Sequence, residues 1–374
     1  MYRLKDSTNE AKKFIKIIKS KVYPLIDFKQ RHNTIYKHEK ILDVLTYVAM
    51  NKDFTTNGTK TYSLLTGDSP HQNTIWYNLK KLGIKDVMTQ FENIFETTYK
   101  MAKKQRVFEK PVDVAIDITD QLYYGDEKNP MVVRIKAQRG TSYAFRFATI
   151  NIVERGRRFT LLALPMSELT TKEKVVKKLI DYAKSKIKIR TVYLDRGFFN
   201  CKIINLLNEM DVEFLMPAIK NSRIKNLMKE HSDPKIIDYQ MGITRGGHKG
   251  KKLFRSDASH FNLVIVDDGE GSKRVFATNL DIEEKNAFNL FIMYRKRWGI
   301  ETSYRVKGDF RVKTTSKNYV VRLFYFLFSV CLYNLWVLVN LFIGLSSGYS
   351  EKPTISAKIF GVIFYTTKKP GGFG

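Results

Sequence analysis

From Leu323 to Leu345 no residue is charged, and so apolar a run leaves a chain two options: it crosses a bilayer, or it lies buried on all sides in a large layered fold. By length alone it qualifies as a span. Asn334 and Asn340 inside it, a basic flank on its N-terminal side only, and its position as a single segment near the end of a basic chain favour the core helix, and hence a protein without a membrane span. A helix of that kind needs other elements to cover it. The chain has 374 residues, 43% of them apolar, enough for two or three domains around a sizeable core.

Charge narrows the partner. Lys and Arg number 65 against 37 Asp and Glu, and the net charge of +28 is spread along the chain instead of confined to a tail, which favours a polyanion such as nucleic acid. Part of that excess is ordinary solvated surface. Cys201 and Cys331 lie far apart in apolar surroundings without metal-ligand spacing, so no disulfide framework is expected and the compartment is reducing, with cytoplasm as the default. The start, Met-Tyr-Arg-Leu-Lys-Asp, lacks the apolar stretch of a secretory signal.

Residues 1–108 read as a helical, basic region. Apolar residues at helical spacing predict helices over 8–22, 37–51 and 87–104. Between Gly58 and Gly83 the pattern is helix, tight turn, helix, with Gly67 opening the turn and Asp68 or Ser69 capping a second helix that has Pro70 at its first position. In a helix-turn-helix reading Gln72, Asn73, Tyr77 and Lys80 face a major groove while Ile75, Leu79 and Leu82 pack inward; any helical hairpin with a polar outer face has the same pattern. Lys103-Lys-Gln-Arg106 reads as a linker.

At Pro111 the period becomes strand-like. Val112–Asp117, Tyr143–Val153 and Phe159–Leu164 predict a three-stranded meander with Asp117 at the end of its first strand. A helix over Lys172–Lys186 leads to the strand Arg190–Asp195, then a helix over Cys201–Met210 and a strand over Val212–Pro217. The order β-β-β-α-β-α-β over residues 109–219 indicates an α/β layer architecture with acids ending its first and fourth strands. Residues 220–290 read as a β-rich insertion with alternating runs at Lys235–Met241, Lys252–Arg255, Phe261–Val266 and Arg274–Asn279. His231, His248 and His260 lack zinc-ligand spacing.

The third acid lies in Tyr294-Arg-Lys-Arg-Trp-Gly-Ile-Glu301-Thr-Ser-Tyr-Arg-Val-Lys307, one carboxylate among five bases. On one helix Tyr294, Arg297 and Glu301 share a face, although Arg297 and Glu301 also suit a plain i, i+4 ion pair. Strand-end aspartates, too, commonly cap turns. Taken together, two strand-end aspartates and a helix glutamate suit two-metal phosphoryl chemistry, in which paired Mg²⁺ ions, or Mn²⁺ in their place, activate a water or 3′-hydroxyl and stabilise the leaving oxygen. Asp120, three residues beyond Asp117, competes for the first position; Asp117 is preferred as the residue that ends the strand.

Ala115-Ile-Asp117-Ile-Thr-Asp-Gln-Leu-Tyr-Tyr-Gly125, Tyr193-Leu-Asp195-Arg-Gly-Phe-Phe199 and Tyr294-x-x-Arg297-x-x-x-Glu301, with the apolar helix that follows, resemble the DDE transposases of the IS4-like group of insertion sequences. The resemblance covers roughly residues 110–345. It implies an RNase H-like mixed sheet flanked by helices, interrupted by the insertion and completed by residues 291–346, with an all-α DNA-binding region in front. Asp117, Asp195 and Glu301 would bind two Mg²⁺ ions; Tyr294 and Arg297 would contact phosphates of the element's ends; a homodimer would join two ends of double-stranded DNA. The implied function is cleavage at terminal inverted repeats followed by strand transfer, with a catalytically inactive DNA-binding descendant as the alternative. One departure stands out. The resembled pattern has a lysine seven residues after the glutamate, where this chain has Gly308, and Lys307 reaches a phosphate only if Gly308 ends or distorts the helix. Residues 347–374 read as a tail of no assigned structure.

Overall fold

The computed structural model describes residues 2–231, 234–243, 256–297, 306–347 and 353–367. Five helices form the first part: α1 (Tyr2–Val22), α2 (His38–Met50), α3 (Thr55–Thr66), α4 (Gln72–Lys80) and α5 (Ile84–Lys103). The apolar stripes that predict them are buried, among them Ile15, Ile18, Leu42, Leu45, Phe91 and Phe95. Between α3 and α4 the chain turns at Gly67, whose φ of 73° is the left-handed geometry that a helix C-terminus most often gives to glycine. The cap of α4 differs from expectation: His71, not Asp68 or Ser69, accepts the Asn73 N–H, and Pro70 precedes the cap instead of starting the helix. Asp68 and Ser69 are occupied elsewhere. The Asp68 carboxylate pairs with Lys40 at 3.2 Å and the Ser69 hydroxyl donates to the Pro70 carbonyl, leaving the imidazole to take an orphan amide of the first turn.

Among the described residues, nine strands form one mixed sheet: β1 (Val112–Leu122), β2 (Val132–Gln138), β3 (Thr141–Ile152), β4 (Phe159–Met166), β5 (Ile189–Tyr193), β6 (Phe214–Pro217), β7 (Lys235–Ile243), β8 (Ser256–Asp267) and β9 (Lys273–Thr278), in the order β2-β3-β1-β5-β6-β9-β8-β7 with β4 also on β3. Helices α6 (Lys172–Lys184) and α7 (Cys201–Glu209) make the crossovers that the β1–β5 and β5–β6 parallel pairings require. Two expectations are corrected. Asp117 is not at the end of β1 but inside it, because the polar run Thr119-Asp120-Gln121 keeps pairing with β3 as far as Leu122 opposite Ala144. Strand β2 is an addition; its exposed outer half hides the alternation, while Arg139 and Gly140, both at positive φ, make the tight two-residue turn into β3.

The stretch predicted as an insertion contains β7, β8 and β9 but opens with a helix, α8 (Ser222–Glu230). Its strands continue the main sheet, since β9 pairs antiparallel with β6. The Lys252–Arg255 run lies outside the described residues. Helix α9 (Ala287–Arg295) then crosses back toward β6 and β8.

The apolar run forms α10 (Tyr319–Ser347), nine tenths buried over its most apolar part. It packs against α1, α4 and α5 and against β4, with Phe324 on Phe28 and Phe91 and Phe326 stacked on Phe147. This is the core-helix option. Asn334, fully buried, treats β4 as a neighbouring strand would: its amide accepts the Thr160 N–H at 3.0 Å and donates to the Thr160 carbonyl at 2.7 Å. Asn334→Ala strands both backbone groups at about 1–3 kcal/mol each, so we expect a loss of about 3 kcal/mol, read as a lower urea midpoint at unchanged m.

Beyond α10 the chain is not a tail. Helix α11 (Ala357–Thr366) buries Phe360, Ile363 and Phe364 against α1 and α2, and the Trp336 indole and Asn340 amide hold Ile355 in front of it. Lys19, only 1% exposed, donates to the Thr367 carbonyl at 2.8 Å and pairs with Asp43 at 2.7 Å. Cys201 and Cys331 are both buried and unbridged.

Candidate active site

Strand alternation puts Asp113, Ala115 and Asp117 on one face of β1. Parallel pairing with β5 aligns Ala115 with Tyr193, and the same register carried two residues further sets Asp117 beside Asp195. Asp195 follows the end of β5 and caps the short turn Arg196–Phe198, its Oδ1 accepting the Gly197 N–H at 2.6 Å. A Cβ on residue 197 would meet the same oxygen at 2.9 Å, so a larger residue there would shift the Asp195 carboxylate.

Helix α9 closes the site from the other side. It ends at Arg295, so Tyr294 is helical while Lys296 and Arg297 lie in the turn after it, which shortens the predicted helix. The Tyr294 hydroxyl donates to the Leu194 carbonyl at 3.1 Å, and its ring packs on Phe276 and Tyr193. Arg297, 12% exposed, places Nη2 3.3 Å from Asp117 Oδ1 and 3.9 Å from Asp195 Oδ2. One guanidinium thus gathers both aspartates. Burial lifts the Asp117 carboxyl to about 6, with Arg297 opposing that rise and Asp195 adding to it.

Asp113 anchors this arrangement, and its role was not read from the sequence. Its carboxylate, with no exposed surface, receives Arg190 Nε at 2.7 Å, Lys296 Nζ at 2.6 Å and the Tyr193 hydroxyl at 3.2 Å. Burial works against its charge, yet the hydrogen bonds and charges of Arg190 and Lys296 hold its pKa below the ordinary value. The Lys296 that binds Asp113 immediately precedes Arg297 in the turn after α9. A signal was present in the sequence: an acid two alternations before Asp117, on the same face of an otherwise apolar strand.

Asp120 is excluded from the cluster by the same alternation. It faces its cross-strand partner Arg146, which binds it through two hydrogen bonds of 2.7 and 2.8 Å.

Lys307 lies inside the protein. Val306–Gly308 is helical and Gly308 does end that segment, but the ammonium, 4% exposed, donates to Asn151 Oδ1 at 2.9 Å and lies 5.2 Å from the Tyr333 ring centre, not at the surface where a DNA phosphate would meet it. Burial pushes its pKa down to about 7, with Asp117 opposing. Glu301 falls outside the described residues. Its flanks are informative, since Arg297 before it and Lys307 after it both act on Asp117.

Gln72, Asn73, Tyr77 and Lys80 belong to α4 and, among the described residues, share no contact with the aspartates. Ile75, Leu79 and Leu82 are buried as expected. Gln72 and Asn73 line a cleft against residues 313–316, while Lys80 sits 3.9 Å over the Trp76 ring and Lys81 4.3 Å over Tyr77.

The donor set suits a hard divalent cation. Two carboxylates from adjacent strand positions converge, one resists ionisation, and the positive group now between them is a side chain that a cation can replace. Among the described residues they do not form a complete three-ligand group.

Residues 134–335 match the family described as Transposase DDE domain, a segment that starts after Asp117 and contains Asp195 and Glu301. The piggyBac transposase, solved by cryo-EM as a synaptic complex with hairpin DNA, is similar over 98% of this chain and 80% of that one, with a TM-score of 0.57 and 13% identity, a likeness of fold. The Mos1 transposase in its paired-end complex with the left transposon end aligns over 50% of this chain and 60% of that one at 10% identity, with a TM-score of 0.20. No curated protein matches the sequence.

Proposed function

Because the chain belongs to the transposase DDE domain family, we propose that it is a DNA transposase that binds terminal inverted repeats and carries out divalent-metal-dependent strand cleavage and strand transfer, in cut-and-paste fashion. The observation that carries this reading is the in-register pairing of β1 with β5, which delivers Asp117 and Asp195 to a single guanidinium.

In this reading residues 1–108 recognise the ends, with Gln72, Asn73, Tyr77 and Lys80 of α4 toward the DNA. Residues 109–219 and 291–346 form the catalytic unit, and residues 220–290 extend it. Asp117, Asp195 and Glu301 would hold two Mg²⁺ ions, which would supply activation of a water or 3′-hydroxyl and stabilisation of a leaving oxygen. Arg297, freed from the aspartates by such ions, would be available for bidentate contact with a phosphate. Tyr294 keeps the β5 end in place through the Leu194 carbonyl, and Lys296 with Asp113 keeps Arg297 aimed. Buried beside Asp117, Lys307 offsets the charge of the acids instead of gripping DNA from outside. Joining two ends calls for a homodimer on DNA, and the protein works in the cytoplasm.

The raised pKa gives a pH dependence. A carboxyl whose folded pKa exceeds its unfolded value of about 3.9 favours the folded state while protonated; that contribution is complete below about pH 4 and is lost as the pH rises through 6. A divalent cation competes with that proton. Mn²⁺ affinity, measured by calorimetry on the DNA-free protein, is expected to fall about tenfold from pH 7 to pH 5. The same affinity at both values would show that Asp117 is not a ligand.

The function itself is tested on a supercoiled plasmid carrying the sequences that flank the gene. Nicking at those ends with Mg²⁺, stopped by EDTA, is the expected result. Binding to the ends without nicking under any divalent ion would replace this reading with that of an inactive DNA-binding descendant.

A further inference from the structure

Past Asp117, β1 runs on beneath a second charged site. A cavity of about 730 Å³ opens between the far end of β1, the turn from β2 to β3 and residues 311–317, and four cations line it: Arg139, Arg311, Lys317 and Arg322. The acid in its wall, Asp120, is already bound through both oxygens by Arg146. Among the described residues the side chains of Arg139, Arg311 and Lys317 make no ion pair. Arg322, 6% exposed, donates only to the carbonyls of Ser316 at 2.7 Å and Leu122 at 3.2 Å. Its burial, and then the charge of Arg311, lower its pKa. Cations gathered in a cavity without a counter-charge destabilise the fold unless an anion joins them.

The shape of the site indicates which anion. A second cavity of about 210 Å³, lined by Gln72, Asn73 and Trp76 of α4 and by residues 313–316, shares Thr314 and Thr315 with the first, so the two adjoin at that segment and together mark out a groove. Its rims carry exposed aromatic rings, Phe54 and Trp76 near α4 and Tyr124 near β1. Cations in the floor and aromatic faces at the edges suit a polymer of phosphates and bases, not a single small anion. One end of the groove is α4, and the other is the strand that bears Asp117.

We propose that this groove holds the backbone of one DNA strand on its way from α4 toward Asp117, with Arg139, Arg311 and Lys317 on its phosphates and Arg322 fixing the floor. The proposal rests on DNA being the substrate, and its test leaves out catalysis. The full-length chain is titrated in EDTA against a fluorescein-labelled 30-base-pair duplex from roughly 50 to 300 mM salt. R139A/R311A is expected to bind about tenfold more weakly at 100 mM salt, with the slope of log K against log salt reduced by roughly 2, near 0.9 for each phosphate no longer neutralised. R139K/R311K is expected to keep the slope. Because the substitutions relieve like-charge repulsion, the melting temperature of R139A/R311A should be unchanged or higher. An unchanged slope in R139A/R311A would overturn the proposal, as would an equal loss in both variants, since the effect would not then follow charge. Wild-type protein that binds with the expected slope but never nicks with Mg²⁺ would overturn the transposase reading and leave this one standing.

Discussion

Alanine at Asp117, Asp195 or Glu301 is expected to lower Mg²⁺-dependent nicking at the element's ends by about 10³-fold or more, on the order of 4 kcal/mol of transition-state stabilisation at 1.36 kcal/mol per decade. DNA affinity in EDTA should stay within about threefold, because the acids repel the polyanion and contribute nothing to holding it. The control is Asp120→Ala. Asp120 lies only three residues beyond Asp117, yet it is engaged by Arg146 on the opposite face of β1, so its loss is expected to cost less than about tenfold in rate. Equal losses at Asp117 and Asp120 would mean that the pairing of β1 with β5 does not define the site. Single-turnover kinetics on a pre-bound substrate keep any change in affinity out of the comparison.

Ending the chain at Lys352 should be nearly as severe, and for a structural reason. It removes α11 and with it the burial of Phe360, Ile363 and Phe364, at about 2–3 kcal/mol for each large apolar side chain. Lys19 and Asp43 remain inside with their lid gone and the Thr367 carbonyl missing. A total on the order of 6 kcal/mol rivals the whole stability of a typical domain. The expected outcome is low soluble yield and strong binding of a hydrophobic dye, and Phe364→Ala alone should lose about 3–4 kcal/mol. A truncated chain with the melting temperature of the intact one would show that α11 is dispensable.

Much of the architecture was legible because it is written in local periods. The stripe of α5 and the uncharged run of α10 each report what is buried, and burial follows. The misreadings share a cause, which is that a partner distant in sequence overrode a local preference. Thr119-Asp120-Gln121 looked too polar for a strand until β3 supplied its hydrogen bonds, and Asp68 looked like a cap until Lys40 claimed its carboxylate. Residues 357–366 suggested no partner because the surfaces that bury them belong to α1 and α2, at the opposite end of the chain.

The same division runs through the site. By themselves, the residues of this chain pointed to a candidate site: two aspartates in strand contexts, an arginine and a tyrosine at helical spacing, and a basic surround, since side-chain type and local period depend on near neighbours alone. The fold decided the rest. Parallel pairing of β1 with β5, and not a strand end, sets Asp117 beside Asp195, Asp113 holds Lys296 next to Arg297, and burial puts Lys307 in the interior instead of at the surface. Those outcomes depend on contacts between segments up to 183 residues apart, as between Lys296 and Asp113, and a local pattern carries no information about which distant segment will lie beside it.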